Sequence, residues 1–146
     1  MAERALTDAE QEELDGLFSL ALGYLPVSSQ ANPAFLIGAL HLLIEEFRAG
    51  RLREVPPDDL AAYGGVVWGD ELCRLQGWQW CYLTLDSGLE GAAVVTPDRS
   101  LAVMPVHMVY RWLSRPQAPN ECQPLFDRMS RPPEQAPAPG GYLLVG

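Results

Sequence analysis

Lysine is missing: all ten basic residues of this 146-residue chain are arginines. Chemistry that runs through a lysine amine, such as Schiff-base formation or the phosphate cradle of a P-loop, is therefore excluded. Cysteine is scarce as well. Cys73, Cys81 and Cys122 are odd in number and no two form a C-x-x-C pair, which argues for reduced thiols in a cytosol rather than a disulfide scaffold. His41 and His107 are the sole histidines, and no paired short spacing of thiolate, imidazole and carboxylate groups is present to hold zinc. Neither a metal nor another cofactor is expected. No apolar run approaches the ~20 residues that cross a bilayer. Met1 to Asp15 is acidic and lacks the basic, apolar and small-residue succession of a cleaved secretory signal. The expectation is a cytoplasmic protein that does not engage a membrane.

What is present is an ordinary globular composition, 48% hydrophobic and 20% charged, with a net charge of −9. A chain of this length buries roughly 70% of the surface its unfolded form exposes, so one domain suffices. The negative surface repels phosphate backbones and disfavours nucleic acid, while it favours encounter with a basic protein.

Thr7-Asp8-Ala9-Glu10 reads as a capping box that starts a first helix, whose apolar residues Leu14, Leu17, Phe18, Ala21, Leu22 and Leu25 recur at helical spacing before Pro26. Asn32-Pro33 caps a second helix running to Ala49, with Gly50 as its left-handed stop. Its middle, Phe35 to Ile44, is apolar nearly all round and predicts the central core helix, with His41 as a buried, hydrogen-bonded histidine. Asp58 or Asp59 caps a third helix to about Leu75, closed by Gly77. Within it Ala61, Gly65 and Gly69 form a smooth stripe that something approaches closely, either another helix or the sheet, or else a ligand or partner segment. Trp78 to Leu85, Leu89 to Thr96 and Leu101 to Met104 read as a three-stranded antiparallel meander, and Pro105 opens a fourth helix to about Arg115. The expected fold is thus a two-layer α+β domain over residues 1–115, about four helices on that small meander. Residues 116–146 read as a Pro-rich extended tail whose apolar tip, Tyr142 to Val145, packs on the domain or on a partner.

No constellation of catalytic residues stands out. The cysteines lie among core-forming residues with no nucleophile signature around them, and Asp86-Ser87-Gly88 lacks the G-x-S-x-G elbow. Asp70 and Glu71 are adjacent, so on a helix they diverge by about 100°, as solvated surface carboxylates commonly do. The most suggestive feature is the first strand, where alternation sets Trp78, Trp80 and Tyr82 on one face. These rings are either core or a binding platform, which Trp68 and Trp112 on neighbouring helices would complete.

The stretches Gly64-Gly65-Val66-Val67-Trp68-Gly69-Asp70-Glu71-Leu72, Gly77-Trp78-Gln79-Trp80 and Met104-Pro105-Val106-His107-Met108-Val109 resemble a bacterial domain-of-unknown-function family. That family has a glycine-rich "LG-x-x-hG-x-x-L" helix, a "GW-x-W" strand and a "P-h-x-M-h" helix. The resemblance covers residues 60–115, and Tyr63-Gly64 stands where its pattern has Leu-Gly. It implies an α+β fold and an immunity-type or accessory role beside bacterial toxins, and it carries no active-site residues.

The leading expectation is a non-catalytic protein-binding domain that neutralises or escorts a basic partner. Its candidate contact residues are Trp68, Asp70, Glu71, Trp78, Trp80, Tyr82 and His107. The alternative is a small-molecule-binding domain or minor hydrolase with its pocket between the glycine-striped helix and the aromatic strand, using Asp70, Glu71 or His107 as polar groups. A homo-oligomer held by a self-complementary apolar patch is a third possibility.

Overall fold

The computed structural model describes residues 1–25, 32–131 and 137–146; Pro26, expected to stop the first helix, and the prolines at 132 and 133 lie outside them. Helix α1 (Asp8–Leu22) begins at the capping box, with the Glu10 amide donating to Thr7 Oγ1 and the Thr7 amide donating to the Glu10 carboxylate. Asn32 Oδ1 accepts from the Ala34 amide to start α2 (Pro33–Arg48). Helix α3 (Pro57–Gln76) has Pro56 at its N-cap with no side-chain cap bond. Asp58 and Asp59 therefore sit in its first turn, where they offset the positive helix end instead of capping it. Gly77, at φ +73°, ends the helix in the left-handed region.

The sheet is larger than a meander. Strands β2 (Gln79–Thr84), β3 (Glu90–Val95) and β4 (Leu101–Val103) form the expected antiparallel ladder, and β1 (Ala2–Arg4) adds to β2 while β5 (Leu143–Val145) adds parallel to β4. The parallel pairing follows from the crossover between β4 and β5, which carries α4 (Pro105–Ser114) and α5 (Cys122–Met129). So the described residues beyond 116 are not one extended segment: they include α5 and β5. Cys122, Leu125, Phe126 and Met129 give α5 one apolar face against α2 and α3, and Pro124 is tolerated because first-turn amides have no intrahelical acceptor.

One sheet face, with Trp80, Val94 and Val103, joins the helical core built on Leu36, Ile37, Leu40, Ile44, Trp68 and Leu72. The other holds a second, smaller core of Cys81, Leu83, Ala93, Val95, Ala102 and Met104. A flat five-stranded sheet would separate its edges by about 19 Å, yet Tyr142, just ahead of β5, donates its hydroxyl hydrogen to Glu3 Oε1 in β1 at 2.7 Å. The sheet is therefore coiled, and side chains from its two ends, Glu3 and Tyr142, reach each other beside the second core. Arg99, in the β3–β4 turn, completes the clasp with Nε and Nη2 donating to the two Glu3 oxygens at 2.9 and 3.0 Å and Nη1 donating to Gln79. Arg99 and Tyr142, at φ +58° and +47°, are the non-glycine residues in the left-handed region among the described residues. Their strain is localised where the clasp closes.

Candidate functional site

The glycine stripe is occupied by the protein itself. A Cβ on Gly65 would stand 2.6 Å from the backbone of Val106 in α4, and one on Gly69 would stand 2.7 Å from the Trp80 indole and 3.0 Å from Pro105. Gly64 likewise meets Leu40 and Val109. These glycines let α4 and the first hairpin strand lie directly on the α3 backbone. The expected pocket between the striped helix and the aromatic strand is therefore filled by Trp80 and Val106.

That packing also settles where most of the candidate residues lie. Trp68 is fully buried, donates its indole hydrogen to the Cys122 carbonyl at 2.9 Å and stacks edge-on against Phe126. Trp78 is buried in the same core. Both are corrections to the aromatic platform: the helices cover this face, so these rings hold layers together and offer no contact surface. Tyr82 is half-buried, with the Arg4 guanidinium 4.0 Å above its ring. Glu71 is fully buried as well; Oε2 pairs with Arg74 at 2.5 Å while Oε1 has no hydrogen-bond partner, and burial pushes its carboxyl above the usual range. His41 is half-buried rather than in the core. Its Nδ1 accepts from the Gln123 amide at 3.3 Å, and Nε2 stands 4.0 Å from Glu45.

His107 and Asp70 line two separate surface depressions. His107, exposed on α4, lines a cleft of about 280 Å³ with Leu89, Tyr110, Arg111 and Val145, away from the tryptophans. Asp70 lines a groove of about 240 Å³ between α1 and α3, whose floor is Leu14, Phe18 and Val66 and whose second carboxylate is Asp15. Burial, and then the like charge of Asp15, raise the Asp70 carboxyl, while the neighbouring Trp80 indole and the Arg74 charge favour its ionised form. Neither Asp15 nor Asp70 enters an ion pair among the described residues. Other carboxylates do: Arg4 holds Glu10, Arg99 holds Glu3, Arg51 holds Glu46 and Arg74 holds Glu71.

Sequence reasoning had flagged Asp70 and Trp80 but missed Asp15 and Phe18 as their companions. The signal lay in α1, where Leu14, Asp15 and Phe18 share one face at helical spacing. Chemically, the groove offers apolar walls for an aliphatic stem and two carboxylates for its charged end. The three thiols are all pushed up by burial, Cys73 to about 12 and Cys81 to about 11, and the deeply buried Cys122 further still, so they are held protonated at neutral pH. Among the described residues no cluster of histidine, cysteine and carboxylate groups could hold a metal ion, and no helix is long and apolar enough to cross a membrane. No protein-family model, no curated protein and no solved structure matches this chain.

Proposed function

We propose that this chain is a non-catalytic protein-binding domain that holds a basic partner by taking one of its arginine or lysine side chains into the α1–α3 groove. The observation that carries this reading is the placement of Asp15 and Asp70, two carboxylates outside any described ion pair, above the apolar floor of Leu14, Phe18 and Val66. A long basic side chain matches both halves, its methylenes on the floor and its charge between the carboxylates. The net charge of −9 speeds encounter with such a partner over longer range. The resemblance of residues 60–115 would imply an immunity-type or accessory role in a bacterial cytoplasm, which is proposed here on that ground alone. Its three motifs meet at one place, Gly65 under Val106 and Gly69 under Trp80 and Pro105, and together they form the packing unit that holds Asp70 in the groove wall.

The test is a pair of short peptides, one alternating arginine with leucine and the other with glutamine in place of each arginine. Binding measured by fluorescence anisotropy is expected for the first alone and is expected to weaken about tenfold or more in Asp70→Asn, the loss typical of a charge-assisted contact. Equal binding of both peptides, or no effect of Asp70→Asn, overturns the reading. The cleft beside His107 and Arg111 favours a second reading, a small amphipathic ligand with its apolar part on Leu89 and Val145. A fragment screen that places ligands there and none in the Asp15–Asp70 groove would prefer it.

A further inference from the structure

The second residue of β3 is a glycine, which weakens a strand unless something must approach it closely. A Cβ on Gly91 would stand 3.3 Å from His107 Nε2 and 3.5 Å from Met104 Cε. Its absence lets the imidazole of α4 lie against the strand, where it lines the cleft of about 280 Å³. Exposed apolar side chains from three separate elements converge on that cleft beside buried Met104: Leu89 ahead of β3, Tyr110 on α4 and Leu144 on β5.

The polar groups of the cleft are donors in want of acceptors. The His107 imidazole and the Tyr110 hydroxyl enter no described hydrogen bond. Arg111 makes one, from Nη2 to the Gly146 carbonyl oxygen, out of the five donors of a guanidinium. No aspartate or glutamate lines the cleft, in a chain that has 19 of them. Glu90, between Leu89 and Gly91, points away by strand alternation and accepts from Thr84 Oγ1 at 3.4 Å.

We propose that this cleft binds a small amphipathic monocarboxylate, with its carboxylate at Arg111 beside the Tyr110 and His107 donors and its apolar end on Leu89, Met104 and Leu144. A guanidinium receives a planar carboxylate in a two-pronged contact, and the apolar walls disfavour an anion hydrated on every side, such as inorganic phosphate. The ligand is small because the cleft lies just below the roughly 300–1,000 Å³ usual for ligand pockets. This inference rests on the small-ligand reading of the cleft and gives it a chemistry. It shares no residue with the Asp15–Asp70 groove, so the two sites act independently.

The test titrates unbranched carboxylates from butanoate to decanoate, each against its matched alcohol, into the full chain, followed by nitrogen–proton NMR. The expected result is a saturable shift of the His107 imidazole and of amides at Gly91 and in β5 with at least one carboxylate. Its affinity should be on the order of 1 mM, as suits a small ligand in an open cleft, and the alcohol should bind about tenfold more weakly. Arg111→Gln is expected to weaken the carboxylate about tenfold and leave the alcohol unchanged, whereas Asp70→Asn alters neither. Because Arg111 also holds Gly146, Tyr110→Phe provides a variant clear of that contact and is expected to weaken the carboxylate about threefold. Alcohols that bind in the cleft as tightly as carboxylates would keep a small-ligand site but overturn the carboxylate. Equal carboxylate binding by wild type and Arg111→Gln, or shifts confined to the α2 face around Phe35 and Leu42, also overturns it. No saturable shift with any of these compounds overturns both the carboxylate and the small-ligand reading.

Discussion

Two neighbouring carboxylates on α3 meet opposite fates, and the difference is one of direction around the helix. Glu71 points into the core with one oxygen unpartnered, while Asp70, about 100° away, opens into a groove. Burial raises the Glu71 carboxyl above its ordinary range. A carboxyl raised in the folded state binds its proton more tightly there than in the unfolded chain. The associated stability is fully present below the unfolded value and is lost as pH rises through the folded one. Glu71→Gln removes that loss while keeping an acceptor for Arg74, so it is expected to stabilise the protein at neutral pH by on the order of 1 kcal/mol. Thermal melts between acidic and neutral pH check this: the wild type should lose stability, relative to the variant, as pH rises. A variant less stable than wild type at neutral pH would show that the ion pair with Arg74 outweighs the desolvation of Glu71.

At the scale of elements, the helices were legible because their signals are local. The Thr7 box, Asn32-Pro33 and the terminating Gly50 and Gly77 each act within a turn of the chain. Helix α5 was missed although Cys122, Leu125, Phe126 and Met129 carry a helical period, because eight residues in a proline-rich stretch offer little propensity against that background. Strand β1 was missed for a different reason: its three residues are exposed and show no alternation, so its pairing is dictated by the edge of β2 and by the contacts of Glu3. The glycines separate local preference from tertiary demand. Gly65→Ala is expected to destabilise by about 1–3 kcal/mol, since the Val106 backbone stands 2.6 Å from the new Cβ. Gly38→Ala, whose Cβ would meet only Gln123 Nε2 at 4.0 Å, is expected to stabilise the protein by up to about 1 kcal/mol. Denaturant midpoints of the two variants at low protein concentration should therefore move in opposite directions, and a shift of both in the same direction would contradict this packing account.

At the scale of the whole molecule, the sheet is closed by contacts far apart in sequence. Glu3, Arg99 and Tyr142 join β1, the β3–β4 turn and the approach to β5 beside the second core. The bonds from Arg99 first, and from Tyr142 as well, hold the Glu3 carboxyl below its usual range against the opposing effect of burial. The clasp is thus intact above the ordinary carboxyl range and is lost as pH falls through the lowered value. Tyr142→Phe is expected to speed amide exchange in β1 and β5 while leaving α2 and α3 protected, a pattern readable by hydrogen exchange; uniform acceleration across the chain would instead make the clasp part of global stability.

The candidate site was half legible for the same reason that the clasp was hidden. Asp70 and Trp80 stand within one contiguous motif region, but Asp15 joins them only because α1 packs against α3, and nothing in a single sequence states that pairing. Whether the aromatic residues were core or platform stayed open in the sequence because alternation gives the face of a strand and not what covers it.

The Trp80 indole lies beside Asp70 and favours its ionised form, so its N–H resonance reports on that carboxylate without any substitution. A nitrogen–proton NMR titration with argininamide is therefore the most direct test. The indole resonance of Trp80 should shift with added ligand while those of buried Trp68 and Trp78 stay fixed, and the response should strengthen as pH rises through the raised range of Asp70, because the bound cation favours its ionised form. A Trp80 resonance that does not move, or one that moves unchanged in Asp15→Asn, would contradict the assignment of this groove as the site that receives a basic side chain.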